Sequence, residues 1–309
     1  MLALETPPAA PPRVWPFSIT VAIPARNEAA AIGGIIRAVR RICPDAEVLV
    51  VNDASTDDTV AVAEAAGARV VHHPYSKGNG AGVKTAIRQA HGDVVVIMDA
   101  DGQHDPNDLP RLLEPMRTHD IVVGNRHRAS HASWLRMAGN WLLARFASYV
   151  IQLPLADLTC GYRAMRRSAI REFVHLLPNG YSWPTTSLLS LAKAGYSVTF
   201  VPITALPRTG GQSRQKLLKN GVRFTMIILK IVMLFAPLRI MFPVGGALLL
   251  LSLLGYVLSI AAGDTVWHIP PSTVMFFVGA IIVWMFGLLA EQIVALGLGG
   301  RPDRITRDE

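Results

Sequence analysis

The sequence predicts an α/β domain with a mostly parallel sheet, followed by an interfacial helix and two C-terminal transmembrane helices. Short β-branched runs alternate with stretches of helical length and period over the first two thirds of the chain. These runs are almost continuously apolar, which is typical of strands that helices cover on both faces. The last third instead contains two long runs without Asp, Glu, Lys or Arg, residues 240–262 and 265–290.

The predicted strands place polar segments at one edge of the sheet. The strands are SITVAIP, EVLVVND, RVVHH, DVVVIMD, DIVVGN and YSVTFVPI, and helical segments such as 28–41 and 56–66 separate the first five. In parallel sheets, ligands bind beyond the carboxyl ends of the strands. We therefore expect the site among the polar segments found there, which are PARNE, NDASTDDT, DADGQHD and GNRHR.

The segment VIMDADGQHDP ends a buried strand with a group of carboxylates. Asp99 and Asp101 would repel each other unless a cation lay between them. Oxygen ligands in an open turn suit Mg²⁺ or Mn²⁺, which also bind substrate phosphates. The alternative is a solvated acidic turn, and Asp105 fits it because Asp before Pro106 is typical of a helix start. We expect Asp99 and Asp101 to hold a metal and a nucleotide, and Asp105 to cap a helix.

Both uncharged C-terminal runs exceed the roughly 20 helical residues that cross a bilayer core. Two buried core helices are the alternative, but two such runs in succession favour spanning helices. Basic residues flank only the outer ends of the pair, and the connecting GDTVWHIPP has no Lys or Arg. The flanking residues are Arg214, Lys216, Lys219, Arg223, Lys230, Arg239, Arg301, Arg304 and Arg307. Because basic flanks stay in the cytosol, we expect both termini there.

These features divide the chain into five parts. They are a flexible tail (1–17), the α/β domain (18–215), a basic juxtamembrane segment (216–238), two transmembrane helices (239–298, with helices near 240–262 and 270–292) and a cytosolic tail (299–309). The proline-rich N-terminus lacks the basic and apolar regions of a signal peptide. Within the juxtamembrane segment, basic residues lie among large apolar ones, which favours an interfacial helix over a soluble amphipathic one.

The net charge of +8 restricts the partners. Its basic residues concentrate in 126–167 and 208–239, close to the membrane segments. That distribution favours membrane lipid headgroups or a lipid phosphate over nucleic acid, for which no motif is present.

Cys43 and Cys160 form no CxxC pair, so we interpret them as packing residues.

Seven segments in order resemble the GT-A (Rossmann-like) glycosyltransferases of family 2, and within it the polyprenyl (dolichyl) phosphate sugar synthases. They are PARNE, VVNDASTDDT, KGNGAG, MDADGQHDP, GNR, CGYRAMRR and GGQSR. The two C-terminal spans match bacterial and archaeal members that carry their own anchor. The resemblance implies an inner-membrane hexosyltransferase with its catalytic domain in the cytosol. It would move a sugar from GDP-mannose or a UDP-sugar to polyprenyl or dolichyl phosphate, with Mg²⁺ or Mn²⁺.

The resemblance also implies roles for particular residues. The nucleotide-sugar would contact Pro24, Ala25, Asn27, Glu28, Asp53, Lys77, Asp99 and Arg208. Asp101 and Gln103 would ligate the metal, with Asp99 beside it. Arg126, Arg136 and Arg208 would meet the acceptor phosphate, and Asp99, Asp101 and Arg126 would form the catalytic set. The family usually has an aromatic residue where Arg26 stands, and often Lys where Arg214 stands.

The glycine-rich KGNGAG does not predict a phosphate-binding loop. It lacks the Gly-Lys-Ser/Thr ending of a P-loop, and it follows the third predicted strand rather than the first. We expect a flexible turn that leads into a helix from about Ala81, with Lys77 near the donor by resemblance alone.

A phosphate monoester is already a nucleophile near neutral pH, so its glycosylation needs cations rather than a strong base. We interpret Asp157 and His127, the available bases, as positioning groups.

A processive polysaccharide synthase is an alternative, but no Trp follows an Arg as its Gln-x-x-Arg-Trp motif requires. A non-catalytic sugar-nucleotide or lipid receptor would not need Asp99 and Asp101, and two uncharged spans offer a transporter no polar path. Glycines 245, 246 and 279 permit close helix packing and a homo-oligomer.

Overall fold

The computed structural model describes residues 15–126, 145, 157–180, 182–204, 206, 233, 236–263 and 265–298. These residues fall into two compact units. The first contains the described residues up to 206, and the second contains those from 233 onward.

The described part of the first unit is built on a seven-stranded sheet. The strands are β1 (Ile19–Ala25), β2 (Glu47–Asn52), β3 (Arg69–His72), β4 (Val94–Ile97), β5 (Ile121–Arg126), β6 (Arg163–Arg166) and β7 (Val198–Ile203). Their spatial order is β3-β2-β1-β4-β6-β5-β7. Only β6 is antiparallel to its neighbours β4 and β5 among these strands. The prediction of a mostly parallel sheet is therefore confirmed.

Helices cover this sheet and form the second unit. They are α1 (Ala29–Ile42), α2 (Thr59–Ala65), α3 (Asn79–Gln89), α4 (Leu109–Leu113), α5 (Arg167–Phe173), α6 (Trp183–Lys193), α7 (Leu238–Ala261) and α8 (Pro271–Leu298). Short 3₁₀ turns occupy Pro106–Asp108, Glu114–Arg117 and Val174–Leu176. Helix α1 buries its apolar stripe of Ile32, Ile35, Ile36 and Val39, as the 3.6-residue period predicts.

Strand β6 is the one strand of the described sheet that the sequence did not predict. Its four residues, RAMR, lack an apolar run because Arg163 occupies a fully buried position. The Arg163 guanidinium donates to the carbonyl oxygens of Cys160 and Pro184 and to Ser187 Oγ. These acceptors offset the cost of burying the charge, which allows a polar sequence in a central strand.

The described part of the α/β domain begins before Ser18. Trp15 and Phe17, assigned above to a flexible tail, have ring centroids 6.0 Å apart. The Arg117 guanidinium lies 5.7 Å from the centroid of the Trp15 ring. Residues 15–17 therefore pack against the domain, because two aromatic side chains bury apolar surface there.

Helices α7 and α8 form a closely packed antiparallel hairpin. A side chain at Gly245 would collide with the indole of Trp284, and a Cβ at Gly287 would lie 2.7 Å from Met241 Cβ. Trp284 Nε1 donates to the Phe242 carbonyl at 3.1 Å. Nothing lies within 4 Å of a Cβ built at Gly246. Gly245 thus serves packing within the hairpin, whereas Gly246 is open.

Both helices of the hairpin are long and apolar enough to span a membrane. Their mean hydropathies are 2.2 for Leu238–Ala261 and 2.4 for Pro271–Leu296. Only 11% and 17% of the residues in their most apolar windows are buried in the structure. A core helix of a soluble protein would be mostly buried, so the exposed apolar surface favours spanning helices over the core-helix alternative.

Candidate functional site

The carboxyl ends of the parallel strands bring the predicted segments to one edge of the sheet. Ala25 pairs with Asn52 across β1 and β2, and Ala22 pairs with Ile97 across β1 and β4. Strand β5 runs in the same direction, because β6 is antiparallel to both β4 and β5. The loops after β1, β2 and β4 and the end of β5 therefore form one candidate site, as the sequence predicts.

The structure places Pro24 and Ala25, which the resemblance assigns to the nucleotide-sugar contact, at the end of β1. Both lie inside β1 and are buried. A Cβ at Gly82 would lie 3.0 Å from Pro24 Cβ, so Pro24 packs on α3. Strand β1 ends at Ala25, one residue beyond the predicted SITVAIP, and accessible side chains begin at Arg26.

Asn27 fastens the loop after β1 to the loop after β2. Its Oδ1 accepts from the Thr56 N–H at 2.8 Å, and its own N–H donates to Ser55 Oγ at 3.1 Å. Asn27 and Ala54 have φ angles of 55° and 56°, a left-handed conformation that is costly for Ala. The hydrogen bonds between the loops hold this conformation. Glu28 follows, and its N–H donates to Thr59 Oγ1 at 2.9 Å.

Asp53 organises the loop that carries Lys77. Its Oδ1 accepts from His73 Nδ1 at 2.8 Å and from the Lys77 N–H at 2.7 Å. Its Oδ2 accepts from Ser76 Oγ at 2.8 Å and from the Gly78 N–H at 3.0 Å. Burial raises the pKa of Asp53, but these donors outweigh it and hold the pKa below its ordinary value. Because it accepts four hydrogen bonds, the Asp53 carboxylate acts as a scaffold for the part of the site where we expect the nucleotide-sugar.

We expect Asp53→Asn to lower the free energy of unfolding by about 2–3 kcal/mol at pH 7, because an amide cannot accept from all these donors. The depressed pKa means that the stabilisation by Asp53 is present above the unfolded pKa of about 4 and is lost as the pH falls through the lower folded pKa. Thermal unfolding at pH 7 and at low pH measures both effects. Asp58→Asn is the matched control, because Asp58 is exposed and makes no capping hydrogen bond with its side chain. Equal stability of the two variants at pH 7 would contradict the scaffold role.

The glycines of KGNGAG permit a close approach between chain segments. Helix α3 begins at Asn79, two residues before the predicted start. A Cβ at Gly80 would overlap the carbonyl oxygens of Pro178 and Gly180. The Ala81 N–H also donates to the Asn179 carbonyl at 3.2 Å. These glycines therefore seat α3 against residues 178–180, in agreement with the rejection of a P-loop.

The turn after β4 presents the acidic residues. Gly102 has a φ of 78°, which lets the chain turn directly after Asp101. Asp101 Oδ1 accepts from the Gln103 N–H at 3.1 Å, and the Gln103 side chain is exposed. Asp105 accepts from the Asn107 N–H at 2.9 Å with Pro106 at the first helical position, so the predicted cap is confirmed.

The donor set of this turn fits a hard divalent cation. Within the described residues, no three His, Cys, Asp or Glu side chains are grouped closely enough to hold a metal ion by themselves. A cation at Asp99 and Asp101 would therefore need the side-chain carbonyl oxygen of Gln103, substrate oxygens and water as further ligands. Mg²⁺ and Mn²⁺ accept such a mixed set of oxygen ligands.

A buried group of side chains lies behind Asp99, and sequence reasoning missed its central member, His104. The His104 ring stacks on Tyr162 with centroids 4.8 Å apart. A Cβ at Gly161 would lie 3.3 Å from Asp99 Oδ2 and 3.6 Å from Trp183. The signal that could have identified His104 is a histidine placed among carboxylates directly after a buried strand.

Arg126 is the last residue of β5, and it forms an ion pair with Asp157. Its Nε and Nη2 donate to the Asp157 carboxylate at 3.0 and 3.3 Å, and Nη2 donates to Thr159 Oγ1 at 2.7 Å. Burial lowers the pKa of Arg126, but Asp157 and, more weakly, the charge of Asp99 raise it above its ordinary value. Nη1 makes no hydrogen bond within the described part of the chain. Arg126 is therefore an anchored cation near Asp99.

Asp157 carries the other half of this pair. Burial raises its pKa, but the hydrogen bonds and charge of Arg126, with those of Thr159, lower the pKa below its ordinary value. Its Oδ1 also accepts from the N–H groups of Thr159 and Cys160, at 2.9 and 3.1 Å. Asp157 is thus a weak base that positions Arg126.

Three basic residues considered above, His127, Arg136 and Arg208, lie outside the described residues, as do 216–232 and 299–309. The chain that leads toward Arg208 is held at the acidic turn. The Leu206 N–H donates to the backbone carbonyl of Gln103 at 2.9 Å, and the Thr204 N–H donates to Asp108 Oδ2 at 2.6 Å. Arg208 follows Leu206 by two residues in the sequence.

Comparison with known proteins agrees with this architecture. The family model described as "Glycosyl transferase family 2" matches residues 20–174, half of the chain. The chain belongs to glycosyltransferase family 2. In this family 2 chain, residues 236–296 also match the model described as "GtrB C-terminal hairpin". That match covers helices α7 and α8 almost completely.

Curated relatives of this family 2 chain have related names. An undecaprenyl-phosphate mannosyltransferase of Micrococcus luteus is 33% identical over 62% of this chain and 85% of its own. A polyprenol monophosphomannose synthase of Mycolicibacterium smegmatis is 30% identical over 63% of this chain and 79% of its own. An undecaprenyl-phosphate 4-deoxy-4-formamido-L-arabinose transferase of Sodalis glossinidius is 28% identical over 89% of this chain and 88% of its own.

Solved structures confirm the predicted GT-A fold of this family 2 chain. Glucosyl-3-phosphoglycerate synthase of Mycobacterium tuberculosis, in complex with Mn²⁺, UDP and glucosyl-3-phosphoglycerate, has a TM-score of 0.55 and 22% identity. The match covers 71% of this chain and 79% of that one. The likeness concerns the fold alone.

Proposed function

We propose that this membrane-bound hexosyltransferase moves a sugar from a nucleotide-sugar to a polyprenyl phosphate. The observation that carries the proposal is the pairing of Arg126 with Asp157 beside Asp99. It puts an anchored cation, rather than an available base, next to the acidic turn. The names of three relatives, two of them undecaprenyl-phosphate transferases and one a polyprenol monophosphomannose synthase, support the same acceptor class.

The state of the bases at the site favours an acceptor that is already ionised. A hydroxyl acceptor needs a general base within hydrogen-bond reach. Asp157 is engaged by Arg126 and has a lowered pKa, and the one lone pair of neutral His104 accepts from the Asp99 N–H. A phosphate monoester carries its own negative charge and needs only to be held in line with the anomeric carbon. Arg126 can hold such an oxygen through Nη1.

A divalent cation fits the donor side of the proposed reaction. Asp101 and Gln103, with Asp99 beside them, would hold Mg²⁺ or Mn²⁺, which would neutralise the departing diphosphate. Asp101 keeps its carboxylate in the turn through the Gln103 N–H. Asp53 holds Lys77 and Gly78 on the opposite loop, where Lys77 can meet the nucleotide. The solved structure with Mn²⁺ and UDP gives a precedent for this metal in the same fold.

Incubation of the detergent-solubilised full chain with radiolabelled nucleotide-sugars and polyprenyl phosphate tests the proposal. A panel of GDP-mannose, UDP-glucose and UDP-N-acetylglucosamine identifies the base and the sugar together. We expect one of these donors to give lipid-linked label. Chelation of divalent cations should abolish that label. Label in a long polysaccharide would favour the processive synthase, and binding without any turnover would favour the non-catalytic receptor.

We also propose that the catalytic domain and the C-terminal tail face the cytosol, with GDTVWHIPP on the other side, because basic residues flank only the outer ends of the hairpin. Cysteines introduced by Asp264→Cys and Asp308→Cys test this topology with an impermeant thiol reagent in intact cells. We expect label at position 264 only. The native Cys43 and Cys160 are buried and give a low background. Label at 308 but not at 264 would reverse the orientation.

A further inference from the structure

Arg26 is a cationic residue at the candidate site to which none of the roles above is assigned. It is the first residue after β1, and its side chain is partly exposed. Its Nη1 donates to Ser76 Oγ, and Ser76 Oγ donates in turn to Asp53 Oδ2 at 2.8 Å. The Arg26 guanidinium is therefore fixed to the loop that Asp53 organises.

This guanidinium keeps most of its capacity for hydrogen bonds. An arginine side chain has five N–H donors and no acceptor. The bond to Ser76 is the one hydrogen bond that the Arg26 guanidinium makes among the described residues, and its Nε is buried without an acceptor. The remaining N–H groups of Nη1 and Nη2 can therefore bind a ligand, and that ligand must offer acceptors.

Asp53 is already fully engaged as an acceptor. A carboxylate offers about four lone-pair positions. Four donors occupy them, and they belong to His73, Ser76, Lys77 and Gly78. An N–H group of a bound ligand would have to displace one of these donors. Of the pair Asp53 and Arg26, Arg26 is thus the side chain that can add a hydrogen bond to a ligand, and it can only donate.

The position of Arg26 along the sheet edge is where the base of a bound nucleotide would lie. Strand β1 separates β2 from β4, and neighbouring strands lie about 4.8 Å apart. The end of β2 is therefore about 10 Å from the end of β4, where Asp99 and the acidic turn begin. In the other direction the edge leads to Arg126, where we propose that the acceptor binds. A diphosphate held at the acidic turn thus leaves the nucleoside to extend past β1 toward Arg26.

The chemistry of an arginine fork distinguishes the bases of nucleotide-sugars. Guanine carries two adjacent acceptors, O6 and N7, which match two parallel N–H groups of one guanidinium. Uracil has an N–H between its two carbonyl groups, so the same fork meets one acceptor at a time. Adenine places an amino donor beside N7, which would face the donors of the arginine. A donor-only group at this position therefore favours guanine.

We propose that Arg26 is a specificity-determining residue that selects a guanine nucleotide as the sugar donor, by donating from Nη1 and Nη2 to O6 and N7 of the base. This inference rests on the proposed function, since it names the base of the same donor. Ser76 and Asp53 support the contact from behind, because their hydrogen bonds fix Nη1.

Arg26→Gln tests this role, because a glutamine amide has an acceptor oxygen beside its donor nitrogen and cannot donate to O6 and N7 together. Arg37→Gln is the matched control. It removes the same charge from an exposed position in the second half of α1. UDP serves as the internal reference, since a contact between Arg26 and the diphosphate would affect GDP and UDP alike.

Calorimetry on the full chain with Mn²⁺ and GDP or UDP, without lipid, measures the preference. We expect the wild type and Arg37→Gln to bind GDP about 10-fold or more tighter than UDP, and Arg26→Gln to lose most of this preference while UDP affinity stays within about 3-fold. A GDP analogue with carbon in place of N7 should bind the wild type more weakly than GDP, and Arg26→Gln should bind the two alike. Thermal unfolding reports the folding of each variant separately.

Two results would overturn the proposal. One is a wild type that binds UDP as tightly as GDP, and the other is an equal loss of GDP and UDP affinity in folded Arg26→Gln. Both can be told apart from a failure of the proposed function. Absence of label on polyprenyl phosphate would refute the acceptor assignment while leaving the preference for GDP intact. Normal lipid labelling from a UDP-sugar, with equal GDP and UDP affinities, would refute the role of Arg26 alone.

Discussion

Asp101→Asn is expected to reduce sugar transfer at least about 100-fold, because a divalent cation supplies several kcal/mol of charge stabilisation to the leaving diphosphate. Asp101 is partly exposed and accepts locally from the Gln103 N–H, so the domain should remain folded. Turnover with saturating donor and polyprenyl phosphate measures the loss, and a titration with Mn²⁺ measures the weakened metal affinity.

Asp105→Asn provides the matched control for this variant, because Asp105 belongs to the same acidic stretch but caps a helix. Asn is as good an N-cap as Asp, so transfer and stability should both stay close to the wild type. Full activity of Asp101→Asn, or full activity of the wild type in excess EDTA, would show that the reaction does not depend on a cation at this turn.

Arg126→Ala is expected to raise the KM for polyprenyl phosphate or lower turnover by about 10-fold or more, because a charge-assisted contact is worth roughly 1.5–3 kcal/mol. Donor affinity should stay near the wild-type value, since Arg126 lies at the end of β5, where we propose that the acceptor phosphate binds. Calorimetry with nucleotide and Mn²⁺ but no lipid measures the donor, and initial rates over a range of lipid concentrations measure the acceptor.

The ion pair with Asp157 requires a second variant. Removal of Arg126 alone leaves Asp157, whose side chain is 13% exposed, without its cation, which can destabilise the site by itself. Arg126→Gln combined with Asp157→Asn removes both charges and keeps polar side chains at both positions. We expect this double variant to fold better than Arg126→Ala but to recover little transfer. Wild-type transfer in the double variant, or loss of donor affinity with unchanged lipid dependence, would contradict acceptor binding by Arg126.

The elements that depend on periodic apolar patterns were predictable from the sequence. The six predicted strands, the helices after β1 and β2 and the two long apolar C-terminal helices all exist, with ends displaced by a few residues. Strand β6 was not predictable in this way, because Arg163 is satisfied by carbonyl and hydroxyl groups from distant residues. A buried charge with such partners leaves no apolar pattern to read.

The positions of the site loops were predictable, but the functions of single side chains were less so. The order of strands in a parallel sheet sets the positions of Asp53, Asp99 and Arg126 at one edge. The partners of each side chain depend on loop geometry that the sequence does not encode locally. Asp53 thus accepts four hydrogen bonds from residues 20 to 25 positions away, and Arg126 pairs with Asp157, 31 residues away.

A comparison of two acceptors tests the central claim most directly. The full chain is incubated with its preferred labelled nucleotide-sugar and either polyprenyl phosphate or the matching polyprenol, at equal concentrations in the same detergent. The account predicts label on the phosphate and none on the alcohol, because the described site holds a cation near Asp99 and no free base. Transfer to polyprenol at a comparable rate would contradict it.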